Sequence, residues 1–269
     1  MPESWIAKTA VEMTPPNPQD PGLLAVTLAG VAVVSFLAWR MRYMEHRKLE
    51  WLLFAAGVLL ALSEVYKQIF RLELIDETFN VWYFPFQLCS MPMYLCLLLP
   101  FLPGDRAGEE SNAAGESADK TVGEKSHTKP AFHTKPKSHT KPKTRIKPAR
   151  VSLKKAVCTF LMTYNLLGAV LALIVPDGLL HPYWNLTLHA YGWHFLILWI
   201  GLTVAFSGMG DTSGRAFAAA TGLLVLFAVI ATGINVALHP YGDADMFYLS
   251  PYHLSVQMVF HDIDAAIGI

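Results

Sequence analysis

A cysteine, two histidines and a carboxylate are the residues of this chain best equipped for covalent chemistry. Cys89 stands in the run Gln87-Leu88-Cys89-Ser90, inside an uncharged stretch of twenty residues, 84–103. A thiol is a weak nucleophile until a base or a positive neighbour favours the thiolate. His194 or His189 supplies a base. Glu64 is the group to orient the imidazole and stabilise its cation, as the third member of a triad does. Gln87, Ser90 and Asn235 carry donors for a developing oxyanion, and Lys67 adds a cation. A thiolate near the headgroup level of a bilayer meets acyl esters as its electrophile. The reaction that fits is acyl transfer through a thioester.

Each of these residues also has a plainer role. Glu64 and Lys67 are spaced i,i+3, so they can neutralise one another on one helix face. A cysteine alone is often a small core hydrophobe, and Cys96 and Cys158 are expected to pack in that way. His189 and His194 can hydrogen-bond neighbouring helices. Ionisable groups inside a membrane also line solute or proton paths. The alternatives to an acyltransferase are therefore a small-solute or proton-coupled transporter, and a membrane protein without catalytic activity.

The elements that must position these groups are membrane helices. The chain is 53% hydrophobic and 16% charged, against about a quarter charged in soluble domains. Eleven of its 21 Lys and Arg lie between Arg106 and Arg150, so the remainder is more apolar still. Six segments approach the roughly 20 apolar residues that cross a hydrocarbon core: 23–39, 51–70, 81–102, 153–175, 188–206 and 216–238. A short seventh, 248–269, carries His253, His261, Asp262 and Asp264. The fold class is all-α, a multi-spanning membrane helix bundle. Residues 1–22 form an N-terminal segment, 23–103 the first three helices, 104–152 a basic loop, and 153–269 the remaining helices.

Lys and Arg collect in the loops after the first and third helices. By the positive-inside rule these loops are cytoplasmic and the N-terminus is outside, in the cell membrane. That topology puts Glu64, Lys67, Cys89, His189, His194 and Asn235 at one depth in the outer leaflet, where a water-accessible pocket is expected. The 104–152 loop repeats His-Thr-Lys-Pro after Ser126, Phe132 and Ser138. Its composition cannot bury enough apolar surface to order the backbone, and its charge suits contact with anionic lipid headgroups. Three cysteines in apolar segments do not make a disulfide framework. Cys-x-x-Cys and His-x-x-x-His pairs do not occur, so no metal or other cofactor is expected. Phospholipid is the expected partner, and nucleic acid is not.

The order Ser63-Glu64, Pro85-Phe86-Gln87-Leu88-Cys89, Pro176-Asp177, His194 and Asn235 resembles the YwaF-like integral membrane proteins. These are bacterial relatives of the animal transmembrane protein 164 family. The resemblance covers most of the chain outside its first 20 residues and the 104–150 insert. It implies a seven-helix membrane fold. From the animal branch it implies a lipid acyltransferase with Cys89 as acyl carrier and His194 as its partner. The family commonly has His in place of Gln87 and an acidic residue in place of Ser90.

Overall fold

Five helices of the computed structural model are long and apolar enough to cross a membrane. The structure describes residues 5–76, 78–104, 151–252, 261–262 and 265–266. Helix α1, Pro21–Arg40, starts where the Asp20 carboxylate accepts from the Gly22 and Leu23 amides, as an N-cap does. Helix α2, His46–Leu74, buries Leu49, Leu53, Ala56, Gly57, Leu60, Glu64 and Arg71. That near-heptad spacing marks a single inward stripe. At 1.5 Å per residue its 29 residues span about 43 Å, so Glu64, Lys67 and Arg71 stand near the far end of the membrane core.

The third segment is shorter than its apolar length suggests. Instead of one helix over 81–102, a 3-10 turn at Val81–Tyr83 is followed by irregular backbone. Helical structure then runs only over Leu88–Phe101, with α3 proper at Met91–Leu98. Pro85 explains the break. A residue before proline is pushed out of the helical region, and Phe84 has ψ 130°. Non-helical backbone at membrane depth survives only where protein buries it or where it lines a cavity.

Helix α4, Leu153–Ile174, contains a π turn at Leu161–Asn165. There the Asn165 amide donates to the Ile197 carbonyl of the next helix at 2.9 Å. Helix α5, Trp184–Ser207, ends on Gly208 in the left-handed region at φ 71°. Helix α6, Gly214–Leu238, is capped by Ser213. The bundle centres on α5, which packs against α1, α2 and α4, while α3 lies against α2 and α6 against α4. A Cβ on Gly57 would sit 3.0 Å from Cys96 Cβ, and one on Gly201 would sit 2.9 Å from the Leu161 carbonyl. Both close approaches need glycine. Cys96 and Cys158 are buried in the core.

Leu24, Val33, Phe36, Leu62 and Val229 are among many large apolar side chains that face outward. Lipid, not water, is the solvent that makes such a surface stable. The chain is a multi-pass membrane protein. Among the described residues there is no strand; one isolated bridge joins Glu12 to Tyr183. The 105–150 part of the basic loop, with its repeats, lies outside the described residues, as does most of the expected seventh helix.

Candidate functional site

A cavity of about 190 Å³ opens at the end of the bundle where α2 ends and α5 begins. Glu64, Lys67 and Arg71 reach it from the last turns of α2. Gln87, Cys89 and Ser90 come from the broken segment and the first turn of the Leu88–Phe101 helix. His189, Trp193 and His194 come from the first turns of α5, and His181 and Tyr248 come from loops. Seven of the eight residues singled out from sequence therefore line one cavity, although they come from three segments far apart in the chain.

Cys89 is partly accessible. Glu64, Lys67 and Ser90 share the cavity lining with it. Its carbonyl accepts from the Trp193 indole at 3.0 Å, which ties α3 to α5 beside the nucleophile. His194 Nδ1 lies 2.7 Å from the Ala190 carbonyl. A carbonyl can only accept, so Nδ1 carries the proton and Nε2 holds the free lone pair. Among the described residues no hydrogen bond joins Cys89 Sγ to either histidine; Cys89, His189 and His194 are all part of the cavity lining.

Glu64 does not orient an imidazole. Its Oε1 accepts from Lys67 Nζ at 2.8 Å and from Gln68 Nε2 at 2.7 Å. The Ala190 carbonyl, one turn back on the same helix, takes the orienting task that sequence reasoning assigned to Glu64.

Asn235 does not line the cavity. It is fully buried, accepts from the Met246 amide at 2.6 Å and donates to the Met246 carbonyl at 3.1 Å. Gln87 makes the same kind of two-ended clamp one step away. It donates to the Asp245 carbonyl at 2.8 Å and accepts from the Phe247 amide at 2.9 Å. Together they hold a segment in which Phe247 and Tyr248 have positive φ of 58° and 56°, a conformation costly for bulky side chains. Asn235 is thus removed from the cavity, and the loop takes the oxygen and one N–H of Gln87, while Ser90 remains in the lining as a hydroxyl donor. Replacing Asn235 with Ala is therefore expected to cost about 2–3 kcal/mol of stability, since it orphans two buried backbone groups. The check is a thermal melt in detergent.

Sequence reasoning missed Arg71, His181 and Trp193. Arg71 was legible: it follows Glu64 by seven and Lys67 by four, on the same helix face. It pairs with Asp76 at 3.0 Å and lies over the Tyr83 ring. His181 is in a loop, and only its fixed backbone brings it in. Thr187 Oγ1 accepts from the His181 amide at 2.9 Å and donates to its carbonyl at 3.2 Å.

Burial, followed by the positive charges of Arg71 and Lys67, pushes the His181 pKa below its ordinary 6.5. The folded state thus binds the His181 proton less readily than the unfolded state does. At neutral pH both states hold it neutral. As pH falls through about 6.5, the unfolded state protonates first and the folded state loses stability. Melting temperature is expected to fall between pH 7 and pH 5, and to fall less in His181→Gln, as read by melts of both proteins across that range.

The family model described as the TMEM164 family matches residues 18–261. No curated protein and no solved structure matches the chain.

Proposed function

The chain belongs to the TMEM164 family, and from that premise we propose that it is a membrane-embedded acyltransferase that carries the acyl group of a phospholipid on Cys89. The observation that carries this reading is the cavity itself, whose lining includes both a partly accessible thiol and a histidine with a defined basic nitrogen inside an apolar bundle. In the first half-reaction His194 Nε2 takes the thiol proton and Sγ attacks the ester carbonyl. The C–S bond forms, the C–O bond breaks, and the imidazolium returns the proton to the leaving alkoxide as a lysophospholipid hydroxyl. The second half-reaction reverses these roles. An acceptor hydroxyl gives its proton to His194 and attacks the thioester, and the Cys89 thiol is released.

Ser90 and the unpaired amides at the start of the Leu88–Phe101 helix are the donors for the tetrahedral oxyanion. Lys67 and Arg71, each paired with a carboxylate, still bring N–H donors to the cavity that a phosphate can share. Arg40, Arg42, Arg47, Lys154 and Arg215 lie at the opposite end of the bundle. Basic ends face the cytoplasm, which supports an outer-leaflet cavity and an external N-terminus. The ion pair that motivates a transporter is compensated internally, so it needs no ligand to be stable.

The test is reconstitution of the purified protein with a phospholipid donor and a labelled lysophospholipid acceptor. Formation of labelled diacyl lipid through a hydroxylamine-sensitive protein adduct is expected. Solute flux without acyl exchange would overturn the reading in favour of transport.

A further inference from the structure

Outside the cavity, between α2 and α5, runs a second hollow of about 420 Å³. Leu59, Leu60, Leu188 and Leu196 form its apolar walls, and Gly192 forms its floor. Leu59, Leu188 and Gly192 are exposed on the outer surface of two membrane-crossing helices, so hydrocarbon is the medium against this groove. Among its polar members, Ser63 donates to the Leu60 carbonyl and Asn185 donates to the Tyr66 hydroxyl. The Asn185 side-chain oxygen has no partner among the described residues, and His189 also lines the groove. The rest is an apolar channel along the bundle.

The groove meets the cavity at His189 and Trp193, which line both. Their rings stand 5.6 Å apart on successive turns of α5. Trp193 is the side chain hydrogen-bonded to the carbonyl of Cys89. One partition therefore separates a hydrocarbon-lined slot from the thiol, and it is tied to the peptide of the nucleophile itself. A Cβ at Gly192 would meet nothing within 4 Å. The missing side chain at this position leaves the groove open; helix packing does not require it.

We propose that the α2–α5 groove seats the acyl chain of the lipid that reacts at Cys89, and that Gly192 keeps it open to long chains. This rests on the acyl-enzyme reading above. An ester carbonyl at Cys89 has a chain that must leave the cavity. The groove lets that chain stay in hydrocarbon while the carbonyl passes the Trp193 partition, with no apolar surface exposed to water.

Gly192→Phe fills the groove with a residue for which there is space, at a helix position where glycine is a poor helix former. The full-length protein and this variant are each treated in nanodiscs with butyryl and stearoyl p-nitrophenyl esters, and mass gain at Cys89 is followed. The acyl group moves from oxygen to Sγ and p-nitrophenolate leaves. Stearoylation is expected to slow about tenfold or more in the variant, with butyrylation within about twofold of wild type. Equal slowing of both esters, or no change in either, overturns the groove as the chain's seat. If wild-type Cys89 takes neither acyl group, the acyl-enzyme reading fails, and a second measurement still decides the groove. A phospholipid with a photoreactive diazirine chain should crosslink mainly at Leu59, Leu188 and Leu196, and Gly192→Phe should remove those crosslinks. Crosslinks spread evenly over α1 and α6, or unchanged in the variant, overturn it.

Discussion

Cys89→Ala is expected to abolish acyl-adduct formation and to lower acyl transfer by about 10³-fold or more, the scale on which loss of a nucleophile removes covalent catalysis. The substitution is mild for the fold. A small thiol becomes a small methyl at a partly accessible position, and the Trp193 hydrogen bond goes to the backbone carbonyl, which alanine keeps. Thermal stability should therefore stay close to wild type, so lost activity reports chemistry. Cys96→Ala and Cys158→Ala act as controls. Both thiols are buried in the core, and removing them leaves labelling at Cys89 intact. His194→Ala lowers the acylation rate by about 10²–10⁴-fold, as removal of a general base does. Intact-protein mass spectrometry of wild type and the four variants, after the same acyl donor, reads all of these together. Acylation that persists in Cys89→Ala, or that falls equally in all four, sinks the mechanism.

Lys67→Met destabilises the protein by about 3 kcal/mol, toward the lower end of the range for breaking a buried pair, because the lysine is partly accessible. Its ammonium lies 2.8 Å from Glu64 Oε1, with side-chain exposures of 21% and 7%. Removing the cation leaves a carboxylate in an apolar bundle with only the Gln68 amide beside it. Glu64→Gln together with Lys67→Met removes both charges and recovers most of the loss, since neutral replacements of a buried pair are often tolerated. A double-mutant cycle from chemical denaturation in detergent measures the coupling. Additive losses would mean that the two charges do not hold each other, and would return Glu64 and Lys67 to the ligand roles a transporter needs.

How much of the site was legible differs residue by residue. Glu64, Lys67, Cys89, His189 and His194 could be grouped in advance, because helix length and the placement of basic loops assign each polar residue a depth. Gln87 and Asn235 were grouped with them by depth but perform another task. Depth says nothing about rotation about the helix axis, and their amides turn to the backbone of residues 245–247. The triad role of Glu64 failed for a similar reason. A lysine three residues away and a glutamine four residues away both bind one oxygen of its carboxylate. The third span was shorter than its composition because an apolar run of about 20 residues sets a maximum length for a helix, and Pro85 shortens it locally.

By itself the sequence determined the all-α membrane class, the positions of the apolar segments and the level at which the polar groups gather. Apolar length and charge placement are one-dimensional properties, and the bilayer converts them directly into position along its normal. Tertiary structure alone decided which side chains share the cavity, which amides are consumed in holding a strained loop, and that a groove floored by Gly192 meets the thiol at Trp193. Those outcomes depend on helix rotation and on contacts between segments about a hundred residues apart, such as the Trp193 indole on the Cys89 carbonyl. Packing sets these contacts, and no local pattern along the chain encodes them.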